Sequence, residues 1–271
     1  MELISKTQRF ELPDTVDLYQ RDLTASPELP EADVIVHLAA HSQVQPIVDE
    51  PQRAVDNMNM TQHVLSEATR MDAFVVNASS RDVYGSALQP QEHEVTVESP
   101  NGYAASKLGS EALVNAYRNT EYLSAVSLRL ANVYGPRDMN RRVIPIFIMR
   151  ASAGKELIVY GSGKILDFIY IDDVCRAILA AIERSHTLDG EVLNIGSGTG
   201  KPLSEVASQI AGDIESCPGW SIRSNRQGDV DRYIADISRA KSVLDFSPTV
   251  PFERGLSETS EWYMNNPISY E

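Results

Sequence analysis

No glycine precedes Gly85 in this chain, although 15 occur in its 271 residues. A glycine-rich turn that brings backbone amides close around a phosphate therefore has no counterpart before that point. Cysteine is scarce as well. Cys175 and Cys217 have neither the spacing of a metal site nor the number needed for a disulfide framework. Cys175 falls in a helical stretch and reads as a small buried residue. Long apolar runs are missing: the longest, Val34 to Ala40, is interrupted by His37, against the roughly 18 residues a membrane span needs. The opening residues Met1 to Lys6 lack the apolar core of a secretory signal. Lysine is rare, 6 residues against 18 arginines, and the net charge of −14 argues against nucleic acid or an anionic membrane as main partner. A reduced, cytoplasmic protein is the expectation.

What is present is a regular alternation of short β-type runs with amphipathic helical stretches, the pattern of βαβ units around a parallel sheet. Strands are expected at Val16–Tyr19, Ala32–Ala40, Ala73–Ala78, Ser124–Leu130, Leu157–Tyr160 and Glu191–Ile195. Helices are expected at Pro51–Arg70, Tyr103–Asn119, Ile144–Ala153, Val174–Arg184, Leu203–Ile210 and Ser238–Leu244. Ala32–Ala40 is apolar on both faces, as buried parallel strands are. Asp172 and Asp173 read as acids at a helix start, not as metal ligands; no metal site is expected.

Tyr103 and Lys107 lie four residues apart, one helical turn, so both side chains share a face. A tyrosine with its ordinary pKa near 10 is a poor base at neutral pH, and a neighbouring lysine cation is expected to favour the phenolate and lower that pKa. On its own this spacing also fits an exposed helix face. Upstream, Ser79 and Ser80 stand where a parallel strand ends, the edge at which open α/β sheets bind ligands. A serine hydroxyl there can donate to a substrate oxygen while a tyrosine handles its proton. A helix cap is the structural alternative for these serines.

With these residues in place the chain resembles the NAD-dependent epimerase/dehydratase family of extended short-chain dehydrogenase/reductases, most nearly in its UDP-glucose 4-epimerase-like branch. The matching segments run through Arg21, Asp22 and Leu23; His37 to Ala40; Asn57 and Thr61; Ser79, Ser80 and Val83 to Gly85; and Tyr103 to Lys107. They continue through Leu128 to Pro136, Asp167 to Asp173, Asn194 to Gly198, and Arg226 with Gly228 and Asp229. The resemblance implies an α/β fold: a doubly wound, Rossmann-like parallel sheet, N-terminally truncated, with a smaller α/β substrate lobe. It assigns residues 1–135 and 164–190 to the cofactor domain, and 136–163 and 191–271 to an interleaved lobe.

The resemblance also implies roles. Tyr103 would be the acid/base, Lys107 its charge partner and the holder of the nicotinamide ribose, and Ser80 the hydroxyl that orients substrate. Asp22 and Leu23 would meet the adenine, and Leu38, Ala39, Ala40 and Ala78 would line the cofactor. Asn132 and Arg226 would contact a nucleotide sugar, most simply a UDP-sugar, with Arg226 on its diphosphate. His37 reads as a satisfied core histidine, and Asn57 as a buried amide tying neighbouring strands together. The cofactor would be NAD, the reaction a transient oxidation at a sugar carbon, and the assembly a homodimer. A nucleotide-sugar reductase or dehydrogenase is the first alternative. The second is a truncated binding protein with little cofactor affinity, because the family's glycine-rich strand-helix-strand unit is not among these residues. Upstream codons or another chain would then be expected to supply it. In dehydratases of this family an Asp-Glu pair follows the catalytic hydroxyl. Here Arg81 and Asp82 follow Ser80, which favours the epimerase.

Overall fold

The computed structural model describes residues 13–95, 97–224 and 231–266. Its strands are β1 (Val34–His37), β2 (Phe74–Ser80), β3 (Ala125–Leu130), β4 (Asn132–Tyr134), β5 (Leu157–Tyr160), β6 (Ile165–Tyr170), β7 (Val192–Ile195), β8 (Gly200–Pro202), β9 (Trp220–Arg223) and β10 (Arg232–Tyr233). Its helices are α1 (Val44–Asp49), α2 (Gln52–Met71), α3 (Gly102–Glu121), α4 (Val143–Ser152), α5 (Ile171–Glu183), α6 (Leu203–Asp213), α7 (Ser238–Leu244) and α8 (Phe252–Asn265).

Four strands form the main sheet in the order β1-β2-β3-β7, all parallel. Successive residues of a strand face opposite sides, and both sides here are apolar. Val75 and Ala125 pack with Leu65 and Ala68 of α2 and Val114 of α3. Val76, Val126, Leu128 and Leu193 pack with Ala177 and Ala181 of α5 and Ala240 and Leu244 of α7. Helices on both faces make the sheet doubly wound, as the sequence implied. Asn101 starts α3 by accepting the Ala104 amide at 2.9 Å, which satisfies one of the amide donors that a helix start leaves without a partner.

A second apolar cluster unites Phe147 and Ile148 of α4, Leu157 and Val159 of β5, Val206 and Ile210 of α6, and Leu256 of α8. Between the two clusters runs β6, paired in parallel with β4 and β10 and antiparallel with β8. β7 lies beyond residue 190 yet belongs to the main sheet, whereas β6 belongs to the second one. The crossing point is Asp167, fully buried on β6. Its carboxylate accepts the Ser197 amide (2.8 Å) and hydroxyl (2.7 Å), the Gly198 amide (2.9 Å) and the Ala235 amide (3.0 Å).

Several expectations need correction. Val16–Tyr19 is irregular and exposed: no strand among the described residues pairs with it, and an extended segment left unpaired gains nothing from strand geometry. β2 runs through Ser79 and Ser80, which the sequence reading placed just beyond its end. Cys175 is exposed, because the buried stripe of α5 passes through Val174 and Ala177. Asn57 ties the loop after β1 to α3, not strand to strand: it binds the His41 backbone amide (2.7 Å) and carbonyl (3.1 Å) and the Ser106 hydroxyl (3.1 Å). Asp173 lies in the first turn of α5, where it pairs with Arg176 and accepts the Thr249 and Val250 amides. No helix among the described residues is long and apolar enough to cross a membrane.

Asp167→Ala leaves the buried Ala235 amide and the more accessible Ser197 and Gly198 amides without their acceptor, at about 1–3 kcal/mol for the first and less for the other two. Urea denaturation is expected to show a loss of about 2–4 kcal/mol. Asp167→Asn, which keeps one carbonyl acceptor, should fall between the alanine variant and wild type.

Candidate active site

The sheet presents the ends of β1 and β2 side by side, and α3 crosses them with its first two turns. Ser80 is the last residue of β2, and its hydroxyl accepts the Asp82 amide at 3.2 Å, capping the short 3-10 turn Arg81–Tyr84. The capping alternative is therefore realised, and the same hydroxyl donates to the Asp82 carboxylate at 3.4 Å. Lys107, one turn along α3, donates from Nζ to the Ala78 carbonyl at 2.7 Å, and that nitrogen lies 5.9 Å from the Tyr103 ring centre. Ser80, Tyr103 and Lys107 are all buried. The three residues singled out from the sequence thus come together.

Their electrostatics differ from the expectation. Burial pushes the Tyr103 phenol above its ordinary pKa, with Asp82 repelling the phenolate in the same direction. The Ser80 hydroxyl and the charges of Arg142 and Arg81 pull it back only in part. The charges that act most on the phenol thus come from Asp82, Arg142 and Arg81. Burial brings Lys107 itself down to about 8, against the attraction of Glu111. His37, at the end of β1, is a buried residue whose Nε2 lies 3.1 Å from the Thr61 hydroxyl. Burial and the Lys107 charge hold it down at about 4, so it is neutral at ordinary pH.

The other candidates are dispersed. Leu38, Ala39 and Ala40 follow β1 at the same sheet edge, and Leu38 is 59% exposed, an uncovered apolar side chain beside the polar trio. Asp22 is exposed and caps the turn Leu23–Ala25, accepting the Thr24 amide at 3.0 Å. Asn132, on β4, donates from its amide to the Asp167 carbonyl at 2.8 Å. Arg226 lies outside the described residues. A cavity of about 550 Å³ is lined by Gly161, Ser162, Gly163, Ile222, Arg223, Ser224 and Asp231, the last four of which flank the Arg226 stretch in sequence. Sequence reasoning missed Arg142, Glu111 and Arg129 around this edge. Glu111 continues the Tyr103–Lys107 spacing by one more turn, which was a readable signal. Arg142 and Arg129 come from distant elements and leave no local signature.

A parallel sheet doubly wound by helices, with a tyrosine-lysine helix across its strand ends, defines a Rossmann-like protein of the short-chain dehydrogenase/reductase type. More narrowly, the chain belongs to the NAD dependent epimerase/dehydratase family, which it matches over residues 4–196. It is 35% identical over 248 residues to a dTDP-glucose 4,6-dehydratase of Streptomyces niveus, covering 88% of this chain and 72% of that protein. The structure is similar to the UDP-glucose 4-epimerase of Thermotoga maritima solved with UDP-glucose: TM-score 0.80, 29% identity, 86% of this chain and 77% of the other. It is also similar to the UDP-glucuronic acid 4-epimerase of Bacillus cereus, solved with its sugar nucleotide and NAD: TM-score 0.84, 26% identity, 96% and 85% covered.

The residues present fit the nicotinamide end of the family's NAD. An ammonium has three donors, and the Ala78 carbonyl takes one from Lys107. That leaves N–H groups for ribose hydroxyls, next to the uncovered Leu38 surface. The loop from β1 to α1, residues 38–43, contains no glycine to close around phosphates.

His37 also carries a pH signature. It titrates near 6.5 in the unfolded chain and at about 4 in the fold. Between those values the unfolded state binds the extra proton, so stability is full above 6.5 and falls as pH drops towards 4. The loss attributable to this residue is about 3 kcal/mol. Urea midpoints measured from pH 7 to 4 should fall less steeply for His37→Gln than for wild type; parallel curves would contradict the assignment.

Proposed function

We propose that this protein is a nucleotide-sugar epimerase of the UDP-glucose 4-epimerase type, acting with NAD on a UDP-sugar. The observation that carries the reading is the convergence of buried Ser80, Tyr103 and Lys107, with Lys107 bound to the Ala78 carbonyl at the edge where β1 and β2 end. NAD, when bound, supplies the acceptor and then the donor of the hydride at a sugar carbon. Ser80 donates to the oxygen on that carbon. Tyr103 takes the proton of that hydroxyl and returns it after the sugar has presented its other face. The first step needs Tyr103 as phenolate: burial and Asp82 oppose that form, and the Ser80 hydroxyl with the positive charges of Arg142 and Arg81 favours it. Lys107 holds the nicotinamide ribose, and Leu38, Ala39, Ala40 and Ala78 line its approach. Asn132 and Arg226 contact the sugar nucleotide, while Asp22 and Leu23 serve the adenine end. The reading includes a cytoplasmic homodimer joined through the outer faces of α2 and α3, where Val55 is exposed.

Identity to a 4,6-dehydratase favours a second reading, in which water is removed from the sugar. That step needs an acid and a base beside the catalytic hydroxyl. Here Arg81 stands first, and its Nη2 lies 3.4 Å from the Asp82 carboxylate. A permanently charged guanidinium cannot deliver a proton. The epimerase is preferred on this ground.

Incubation of the protein with NAD and UDP-glucose, followed by chromatographic separation, is expected to yield UDP-galactose. A product lighter by one water would move the assignment to dehydratase, and accumulation of free reduced cofactor would move it to dehydrogenase. Tyr103→Phe should lower the turnover by about 10²–10⁴-fold while UDP-glucose binding, read by calorimetry, persists.

A further inference from the structure

Glu111 lies one turn beyond Lys107 on the same face of α3 and is buried. One carboxylate oxygen accepts the Ser79 hydroxyl at 2.5 Å and Arg129 Nε at 2.9 Å; the other accepts Arg129 Nη2 at 2.7 Å. Arg129, on β3, spends Nη1 on the Tyr84 hydroxyl (2.8 Å) and the Glu92 carbonyl (2.7 Å). Tyr84 in turn donates to Asn194 of β7 at 2.6 Å. Burial disfavours the Arg129 charge, but Glu111 more than offsets it and raises its pKa. The network spans β2, α3, β3 and β7, and it reaches β2 at Ser79, the neighbour of Ser80. Replacing a buried ion pair with apolar residues of similar volume is often neutral or stabilising, so stability alone is a weak reason for this one.

We propose that Glu111 is a positioning residue for the reaction: it binds Ser79 to hold the end of β2 against α3, and it supplies the negative charge that faces Lys107. This rests on the reading of Ser80, Tyr103 and Lys107 given above. The strand end is then clamped twice from one helix, Lys107 gripping the carbonyl of Ala78 and Glu111 the hydroxyl of Ser79. Ser80, the next residue, is thereby held at the strand end, where its hydroxyl caps the turn at Asp82. The groups around the Lys107 ammonium are His37 from β1, the Ala78 carbonyl from β2, and Tyr103 and Glu111 from its own helix. With His37 and Tyr103 neutral, Glu111 is the anion of that set. Without it, burial would strip the proton from Lys107 near neutral pH.

The test is a titration of Lys107 in the full chain, made with carbon-13 lysine and read by NMR, the resonance being assigned by its loss in Lys107→Met. The double variant Glu111→Leu with Arg129→Met removes both charges and preserves volume. It is expected to melt near wild type while the Lys107 midpoint falls from about 8 by about one pH unit or more. Glu111→Gln, which keeps the size and the Ser79 contact, should shift it in the same direction and serves if the double variant does not fold. A folded variant of either kind that titrates like wild type overturns the proposal and leaves Glu111 a packing residue. The titration needs neither NAD nor a nucleotide sugar. A missing epimerase activity would therefore count against the functional reading and leave this measurement readable.

Discussion

An ammonium group buried at a strand end is the constraint around which the site is arranged. Lys107 gives up most of its water, which brings its pKa down to about 8, and recovers one strong hydrogen bond from the Ala78 carbonyl at 2.7 Å. That bond requires α3 to cross the end of β2 at one height and in one rotation. With the helix held there, Tyr103 falls one turn earlier beside Ser80, and His37 is forced to remain neutral at the end of β1. Glu111, one turn later, attracts the same ammonium. Each of these positions follows from the helical repeat once Lys107 is fixed.

The sheet makes this possible because its strands are parallel. All four end at one edge, so Ser80 of β2 and His37 of β1 are delivered to the same place without long loops. Asp167 joins that sheet to the second unit by binding three backbone amides and one hydroxyl. The residues after β7 and β10 are thereby fixed relative to β6. Ser80 and His37 accordingly stand on the main sheet, and Asn132 starts the second one at β4.

Much of this was legible beforehand. The apolar runs of β1, β2, β3 and β7 and the stripes of α2 and α3 are long and regular, so periodicity located them to within a few residues. Short elements were harder. β6 carries Asp167 within an otherwise apolar strand, α8 mixes Glu253, Arg254 and Glu258 into its exposed face, and neither follows a clean pattern. Val16–Tyr19 looked strand-like because alternation over four residues needs only chance, while a strand needs a neighbour to pair with. Cys175 shows the converse: burial is decided by which side of α5 meets the sheet, and composition is silent on that.

The sequence by itself determined the family, the strand-end serines and the shared helical face of Tyr103 and Lys107. Those features are local, encoded in spacings within single elements. Only the tertiary structure decided the direction of the pKa shifts. Burial raises Tyr103, and the charges that act on it come from Asp82, Arg142 and Arg81, while Lys107 faces a carbonyl instead. It also revealed that Arg129 of β3 is held by Glu111 of α3 in a pair shielded from solvent. Desolvation and Coulomb interactions depend on distances between elements far apart in the chain, and residue spacing along a helix or strand carries no record of them.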